Sequence, residues 1–385
     1  LKDETLNGVT VTRKTVSEDA PLPFNLGKLT SFCGSKFGYK PQEVMEITQS
    51  LREKYKAISY NRTDCQYLTE TQYDESGPTM DAVIRNIGFR PKQLDMTLKS
   101  KCFNDKYTTD SGEAHTAIIP QNISVDIHAM TEPERKVYLA ICQYYMAQFM
   151  PPAKKERSAL TVKLKDGGTL SASASKIIEM GYLTLFKKDG IRNEESALCA
   201  VPVGTYQCDV LDASVVEKET KPPVRYTQNT LVADMSCIAK YVEDNEVKAL
   251  LKEKDKGKQG ENGSIGTPAT RAAIVVGLVN HGYLEDDGKR VISTPKAREF
   301  YRILPDEVKK ADMTAYWWVM QEDVRTGKDD YHILTNSVLE TVRTIVHTKY
   351  PLLSEELRSQ LAAASGREQT LGVCPRCGSA VIEGK

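Results

Sequence analysis

Apolar positions along this chain change period several times, and each change predicts a change of element. Val44, Ile47, Thr48 and Leu51 fall at i, i+3, i+4 and i+7, the spacing that lines one face of an α-helix. Pro41 suits the first turn, where a missing N–H costs nothing, so a helix is predicted from Pro41 towards Lys54. It delivers the chain to Ile58-Ser59-Tyr60. A second helix is predicted from Glu132 to Phe149, with Val137, Ala140, Ile141, Tyr144 and Tyr145 on one face and Pro151-Pro152 as its stop. Leu160 to Leu164 then alternates with period two, Asp166-Gly167-Gly168 is a turn signal, and Leu170-Ser171-Ala172 resumes the alternation, the pattern of paired strands. Tyr206 to Val210 adds another strand-like piece. Residues 1–20, polar and rich in Thr and Val, read as the end of a strand, and Pro21-Leu22-Pro23-Phe24 interrupts it.

Beyond Thr220-Lys221-Pro222-Pro223 the pattern turns helical again, through Leu231, Met235, Ile238 and Ala239. Residues 252–266 are charged, Gly-rich and without apolar period, which predicts an exposed, mobile loop. Thr267 is placed as an N-cap with Pro268 at the first helical position. Ile274 and Leu278 give that helix its stripe, and His281-Gly282 ends it. Asp287-Gly288 predicts a hairpin between Tyr283-Leu284-Glu285 and Arg290-Val291-Ile292. Helix, hairpin and a further helix from Pro295 follow the order of a winged-helix unit. No internal repeat at a fixed period is visible.

At 385 residues the chain has room for two or three domains, since one domain usually takes about 100–200 residues. An apolar fraction of 40% and a charged fraction of 27% fit a globular protein, and no apolar run is long enough to span a bilayer. Fifty-two basic against fifty-two acidic residues give zero formal charge, which speaks against a chain that coats duplex DNA unselectively but allows a local basic groove. Seven of the nine cysteines are scattered singly and are expected to be reduced, buried thiols of a cytosolic protein. A start at Leu-Lys-Asp rather than Met, and an end just past a lone Cys pair, lead us to expect a piece of a longer chain.

The string Lys56 to Cys65 holds the chemistry of most interest. Tyr60 stands one residue from Arg62, with Thr63-Asp64 behind. A phenol is an oxygen nucleophile with an ordinary pKa of about 10, and a guanidinium matches phosphate oxygens in shape and charge. The pair suggests phosphodiester cleavage through a phosphotyrosine ester; a core tyrosine at a strand end is the plain alternative, since the chain has eighteen tyrosines. His115 could hydrogen-bond a phosphate oxygen or serve structure alone. Thr267 to Arg271 puts backbone N–H groups and an arginine at a helix start, an anion site by geometry and equally an ordinary cap. Cys374-Pro375-Arg376-Cys377 is half of a zinc knuckle, and no Cys or His follows to complete it. Trp317-Trp318 could stack on bases, although their helical spacing favours core packing.

Six strings in this order resemble the type IA DNA topoisomerases, most closely their bacterial topoisomerase III branch. They are Pro21 to Leu26, Gln49 to Glu53, Ile58 to Asp64, Glu113 to Ile118, Pro222 to Thr227 and Ile265 to Arg271. The resemblance covers roughly residues 21 to 377. It implies a multidomain α+β fold with helical, winged-helix-like domains and a β-rich arch. Residues 1–20 would be the end of the arch on its first pass, 21–152 the gate domain with the tyrosine, 153–222 the arch, 223–350 the winged-helix-like DNA-binding domain, and 351–385 a linker and the start of a truncated zinc ribbon.

The resemblance also implies roles. Tyr60 would attack single-stranded DNA to form a 5′-phosphotyrosine link, Arg62 would clamp the scissile phosphate, and Asp64 and His115 would support that network. Gln49, Glu53 and Ser59 would line the site, and Arg225, Thr267, Thr270 and Arg271 would contact the DNA backbone. Cys374 and Cys377 would be half of a zinc site. Asn61 departs from the Pro or Met usual between the tyrosine and arginine. No strand-borne Asp-x-Asp cluster with an upstream Glu is visible, so the Mg²⁺ ligands are expected in an N-terminal Toprim domain outside this chain. The implied protein is a monomeric enzyme of the cytoplasm, associated with the nucleoid, whose fragment alone does not relax DNA. A non-catalytic single-strand-binding module that kept the fold is the alternative. A tyrosine recombinase or relaxase is disfavoured, since five scattered histidines supply no His triad.

Overall fold

A computed structural model describes residues 4–108, 115–186, 196–256, 260–310 and 312–348, together with 355, 370–373 and 380–382. The chain divides into two compact units, Leu1–Val224 and, in the second, Arg225–Lys256 with Gly260–Lys385.

The first unit opens with strand β1 (Thr5–Glu18), followed by helices α1 (Leu26–Phe37), α2 (Pro41–Glu53), α3 (Glu70–Asp74), α4 (Ser76–Ile87) and α5 (Glu132–Ala147), then strands β2 (Ala153–Lys163), β3 (Thr169–Glu179) and β4 (Gly204–Asp209). The four strands form one antiparallel sheet in the order β3-β2-β1-β4. The predicted turn joins β2 to β3, with Gly167 at φ 88° in the left-handed region. Its strands run further than the alternation indicated, because Lys154 to Arg157 pair across both neighbours in spite of their charge.

The core of this unit lies among the helices. Leu29 and Cys33 of α1, Val44 and Leu51 of α2, Val83 of α4 and Val137, Ile141 and Tyr145 of α5 are all buried there. Helix α2 begins at Pro41 and α5 at Glu132, as predicted; α5 stops two residues early, at Ala147. Helix α1 was not predicted. Gly27, Ser31, Gly34 and Ser35 lower its helix propensity, yet Leu26, Leu29, Thr30 and Cys33 hold the apolar face. Glu134 ties two helices together: it is the third residue of α5, accepts the Thr131 N–H in a capping box, and accepts the Ser50 hydroxyl of α2 at 2.6 Å.

The second unit comprises α6 (Gln228–Asp234), α7 (Asn245–Lys254), α8 (Pro268–Asn280), the hairpin β5 (Leu284–Asp286) and β6 (Val291–Ser293), α9 (Pro295–Ile303), α10 (Asp306–Lys309), α11 (Asp312–Arg325), α12 (Tyr331–His347), and a short pair β7 (Thr370–Val373) and β8 (Ala380–Ile382). The predicted order of helix, hairpin and helix is present in α8, β5, β6 and α9. Thr294 caps α9 through the Ala297 N–H and donates its hydroxyl to the Gly282 carbonyl, closing the hairpin onto the end of α8.

Two expectations fail in this unit. The helix predicted through Met235 and Ala239 breaks, with Cys237 at φ −134°, ψ 37° inside a short 3₁₀ stretch. The stretch 252–266 is the reason. Asn262 donates to the Ser236 carbonyl at 2.8 Å, Ile265 to that of Met235 at 3.0 Å, and Ala239 donates to that of Gly263 at 3.0 Å. The described part of this stretch is exposed at Lys252, Glu253, Lys256, Gly260, Asn262 and Gly266 but is anchored rather than loose: Lys252 to Lys254 still belong to α7, Asp255 and Ser264 are buried, and the Ser264 N–H is held by the Asp255 carboxylate. The charge-rich composition was misleading because these polar groups satisfy one another. The cysteines likewise divide. Cys33, Cys65, Cys102 and Cys142 are buried, and burial pushes the thiols of Cys33, Cys102 and Cys142 up to about 12. Cys199 and Cys237 are only partly buried and Cys208 is exposed. No described helix is long and apolar enough to cross a membrane.

Candidate active site

Tyr60 sits where three backbone segments are tied together. Helix α2 ends at Glu53, and Lys56 takes a positive φ of 55°, uncommon for a residue with a side chain. The turn sends the Ala57 N–H back to the Leu51 carbonyl at 2.8 Å, so the chain reverses alongside the last turn of α2. Residues 57–59 then pair with 117–121. Ile58 bridges Pro120, the Ser59 N–H donates to the Ile119 carbonyl, and the Gln121 N–H donates to that of Ala57. The Ser59 hydroxyl doubles this link, accepting the Ile119 N–H at 2.9 Å and donating to the Ala117 carbonyl at 3.0 Å. Behind Tyr60, Asn25 caps α1 with its carbonyl and donates its amide to the Asp64 backbone at 2.7 Å. The Asn61 side chain, 1% exposed, turns inward to donate to Thr48 at 3.1 Å. Alternation about Asn61 and buried Thr63 therefore leaves Tyr60, Arg62 and Asp64 facing outward, half-buried or exposed.

Side chains from two other segments meet Tyr60. The His115 ring lies against the phenol ring, 4.1 Å between centroids at 39°. The Arg52 guanidinium lies over the same ring at 4.5 Å. Arg62 donates to Gln49 at 3.5 Å, and Gln49 in turn donates to Glu53 at 3.2 Å. The structure thus gathers Tyr60, Arg62, His115, Gln49, Glu53 and Ser59; Asp64 lies on the same segment, two residues past Arg62. Arg52 was missed in the sequence, although its position three residues after Gln49 on a helix places both on one face. Neither Arg52 nor Arg62 has a carboxylate ion-pair partner among the described residues. Both guanidiniums are thus free of a direct ion pair and keep N–H groups that could meet an anion's oxygens, with the Glu53 and Asp64 carboxylates on the same segments.

A family model described as DNA topoisomerase matches residues 1–336. The chain belongs to the type IA DNA topoisomerase family. It is 32% identical over 356 residues to DNA topoisomerase 3 of Pasteurella multocida, covering 90% of this chain and 52% of that protein. The Haemophilus influenzae DNA topoisomerase 3 is 31% identical over 334 residues, covering 86% and 49%. The solved full-length topoisomerase I of Thermotoga maritima has a similar fold, with a TM-score of 0.59 at 20% identity over 89% of this chain and 52% of that one. The chain spans about half the length of the curated relatives it matches.

The remaining residues that the topoisomerase resemblance singled out lie in the second unit. Arg225 is exposed at its start. The next residue, Tyr226, donates its hydroxyl to Asp234 at 2.5 Å, as does Tyr241, and the bond to Asp234 holds the Tyr226 phenol above its ordinary pKa. Thr267 and Thr270 are exposed at the start of α8, where the Thr270 hydroxyl accepts the Thr267 N–H at 2.9 Å. Arg271 is placed differently. It is 3% exposed, forms a two-pronged ion pair with Glu261, and donates to the carbonyls of Ile265 and Gly266. Its guanidinium faces the packed 260–266 segment rather than solvent. Cys374 and Cys377 lie outside the described residues.

Proposed function

We propose that this chain carries the strand-cutting nucleophile of a type IA DNA topoisomerase, acting on single-stranded DNA in the cytoplasm, and that Tyr60 is that nucleophile. The observation that carries this reading is the outward-facing phenol with Arg52 and His115 against its ring and Arg62 two residues on, neither arginine having a direct ion pair among the described residues. The Tyr60 oxygen attacks phosphorus and loses its proton. The phosphorus bond to the 3′-oxygen of the neighbouring sugar breaks, and that oxygen leaves as a hydroxyl after gaining a proton. The product is a 5′-phosphotyrosine ester, and attack by the same hydroxyl reverses the step. One ester replaces another, so the broken strand keeps the energy needed for rejoining. Arg62 supplies a planar cation to the non-bridging oxygens, where charge builds in the transition state. His115, whose ring lies against that of Tyr60, would add a hydrogen-bonding nitrogen for a phosphate oxygen.

Among the described residues no three His, Cys, Asp or Glu side chains come together to hold a metal ion. We place the Mg²⁺ ligands, with the remaining acid–base groups, in a Toprim domain outside this chain, and the chain alone would bind a single strand without relaxing DNA. Magnesium bound there would add charge stabilisation at the phosphate. The test uses the full-length protein and a 3′-labelled single-stranded oligonucleotide, quenched with denaturant. A labelled covalent adduct is expected from the native protein and none from Tyr60→Phe. An undiminished adduct in Tyr60→Phe would remove Tyr60 as the nucleophile.

A further inference from the structure

We infer that Arg52 is a positioning residue that sets the plane of the Tyr60 ring for attack; this rests on the reading of Tyr60 as nucleophile. Arg52 lies in the last turn of α2, where the negative end of the helix favours a cation. Eight positions later in sequence, Tyr60 is folded back against it by the turn at Lys56, and the guanidinium lies 4.5 Å from the ring centroid. The same turn of α2 supplies Gln49, which accepts from Arg62. One rigid helix end therefore holds both the ring of the nucleophile and the cation expected to face the phosphate.

The physical reason for such a device is entropic. A half-exposed tyrosine turns about two side-chain bonds, and its oxygen must meet phosphorus in line, at about 3–3.5 Å. A planar group lying over the ring removes misdirected orientations before DNA arrives, so less freedom is lost on the way to the transition state. Arg52 suits this task because it is half-buried and has no carboxylate to draw it elsewhere among the described residues. Cation over ring is attractive in its own right and gains strength as the site is desolvated. A lysine would keep the charge without the flat, stacking surface.

The contact itself is tested first, in the DNA-free full-length protein, by NMR. The side-chain Nε–H resonance of Arg52 is expected to be shifted upfield by the Tyr60 ring and to move back in Tyr60→Leu. No shift, or one that Tyr60→Leu leaves unchanged, would overturn the inference whatever Tyr60 does chemically. The second test measures single-turnover cleavage of a labelled single strand across DNA concentrations. In Arg52→Ala the rate at saturating DNA is expected to fall about tenfold, equivalent to about 1.4 kcal/mol of barrier, with half-saturation changed less than threefold. Arg52→Lys is expected to show a similar loss of rate, with half-saturation again near the native value. A loss confined to half-saturation would make Arg52 a simple phosphate contact, and full recovery by lysine would make it a charge; either result overturns the positioning role. Failure of the nucleophile assignment shows separately, as an adduct that survives Tyr60→Phe.

Discussion

Arg271 and Glu261 close a two-pronged ion pair beneath the start of α8, with side-chain exposures of only 3% and 9%. The pair fastens the 260–266 segment to the helix that follows it. Breaking a buried pair from one side strands the other charge, at a cost of about 3–5 kcal/mol. Arg271→Ala is therefore expected to destabilise the second unit by about that amount, read from the urea midpoint. A variant that binds DNA less tightly but unfolds at the native midpoint would make Arg271 a DNA contact rather than a structural clasp.

Gly263 tests the packing of the same segment from another side. A methyl group added there would stand 2.3 Å from the Ala239 Cβ, on a backbone at φ +68°. Gly288, in the hairpin turn at φ +83°, has nothing within 4 Å. Gly288→Ala should cost only the backbone penalty, about 1–2 kcal/mol. Gly263→Ala should cost about 1–3 kcal/mol more, from overpacking. Equal losses in chemical denaturation would mean that the segment yields freely and is not wedged against Ala239.

Ser59→Ala removes a hydroxyl that accepts from Ile119 and donates to Ala117 beside the proposed nucleophile. Two hydrogen bonds of ordinary strength disappear, and the expected loss is about 1–3 kcal/mol. Cleavage by the full-length protein should slow as well, because the 57–59 segment carries Tyr60. Comparison of unfolding curves and single-turnover rates checks both. A stable variant with native cleavage would show that the backbone pairing alone holds the segment.

Acid should loosen the first unit through Glu134. Burial raises its pKa, but hydrogen bonds from Ser50, Thr131 and Tyr55 outweigh that effect and hold the carboxyl down at about 2. A folded-state pKa below the unfolded value gives a contribution that is fully present above the ordinary carboxylate range and is lost as pH falls through the folded value. The native protein should thus lose stability between about pH 4.5 and 2, and Glu134→Gln should flatten that part of the profile. Parallel acid titrations of the two proteins, followed by circular dichroism, would count against this role for Glu134.

Much of the architecture was legible because it is written locally. Pro41, Thr267 with Pro268, and Pro295 mark helix starts through chemistry that needs only neighbouring residues. The turns at Gly167 and Gly288 need a backbone conformation that glycine adopts without strain. The order of short strings by itself points to the topoisomerase family. Helix α1 escaped because its glycines and serines argue against helix one residue at a time, and only the burial of Leu29 and Cys33 tips the balance towards it.

What the sequence by itself determined was the kind and order of most elements and the placing of Tyr60, Arg62 and Asp64 together on one short segment. The tertiary structure alone decided which partners those elements met. It put β1 between β2 and β4, broke the helix at Cys237 by giving its carbonyls to the 260–266 segment, and brought Arg52 over the Tyr60 ring. It also buried Arg271 against Glu261 instead of leaving it at the surface. The physical reason is common to all four. Local propensity depends on neighbours along the chain, whereas the worth of a charge or an open backbone group depends on what desolvates and pairs with it in space.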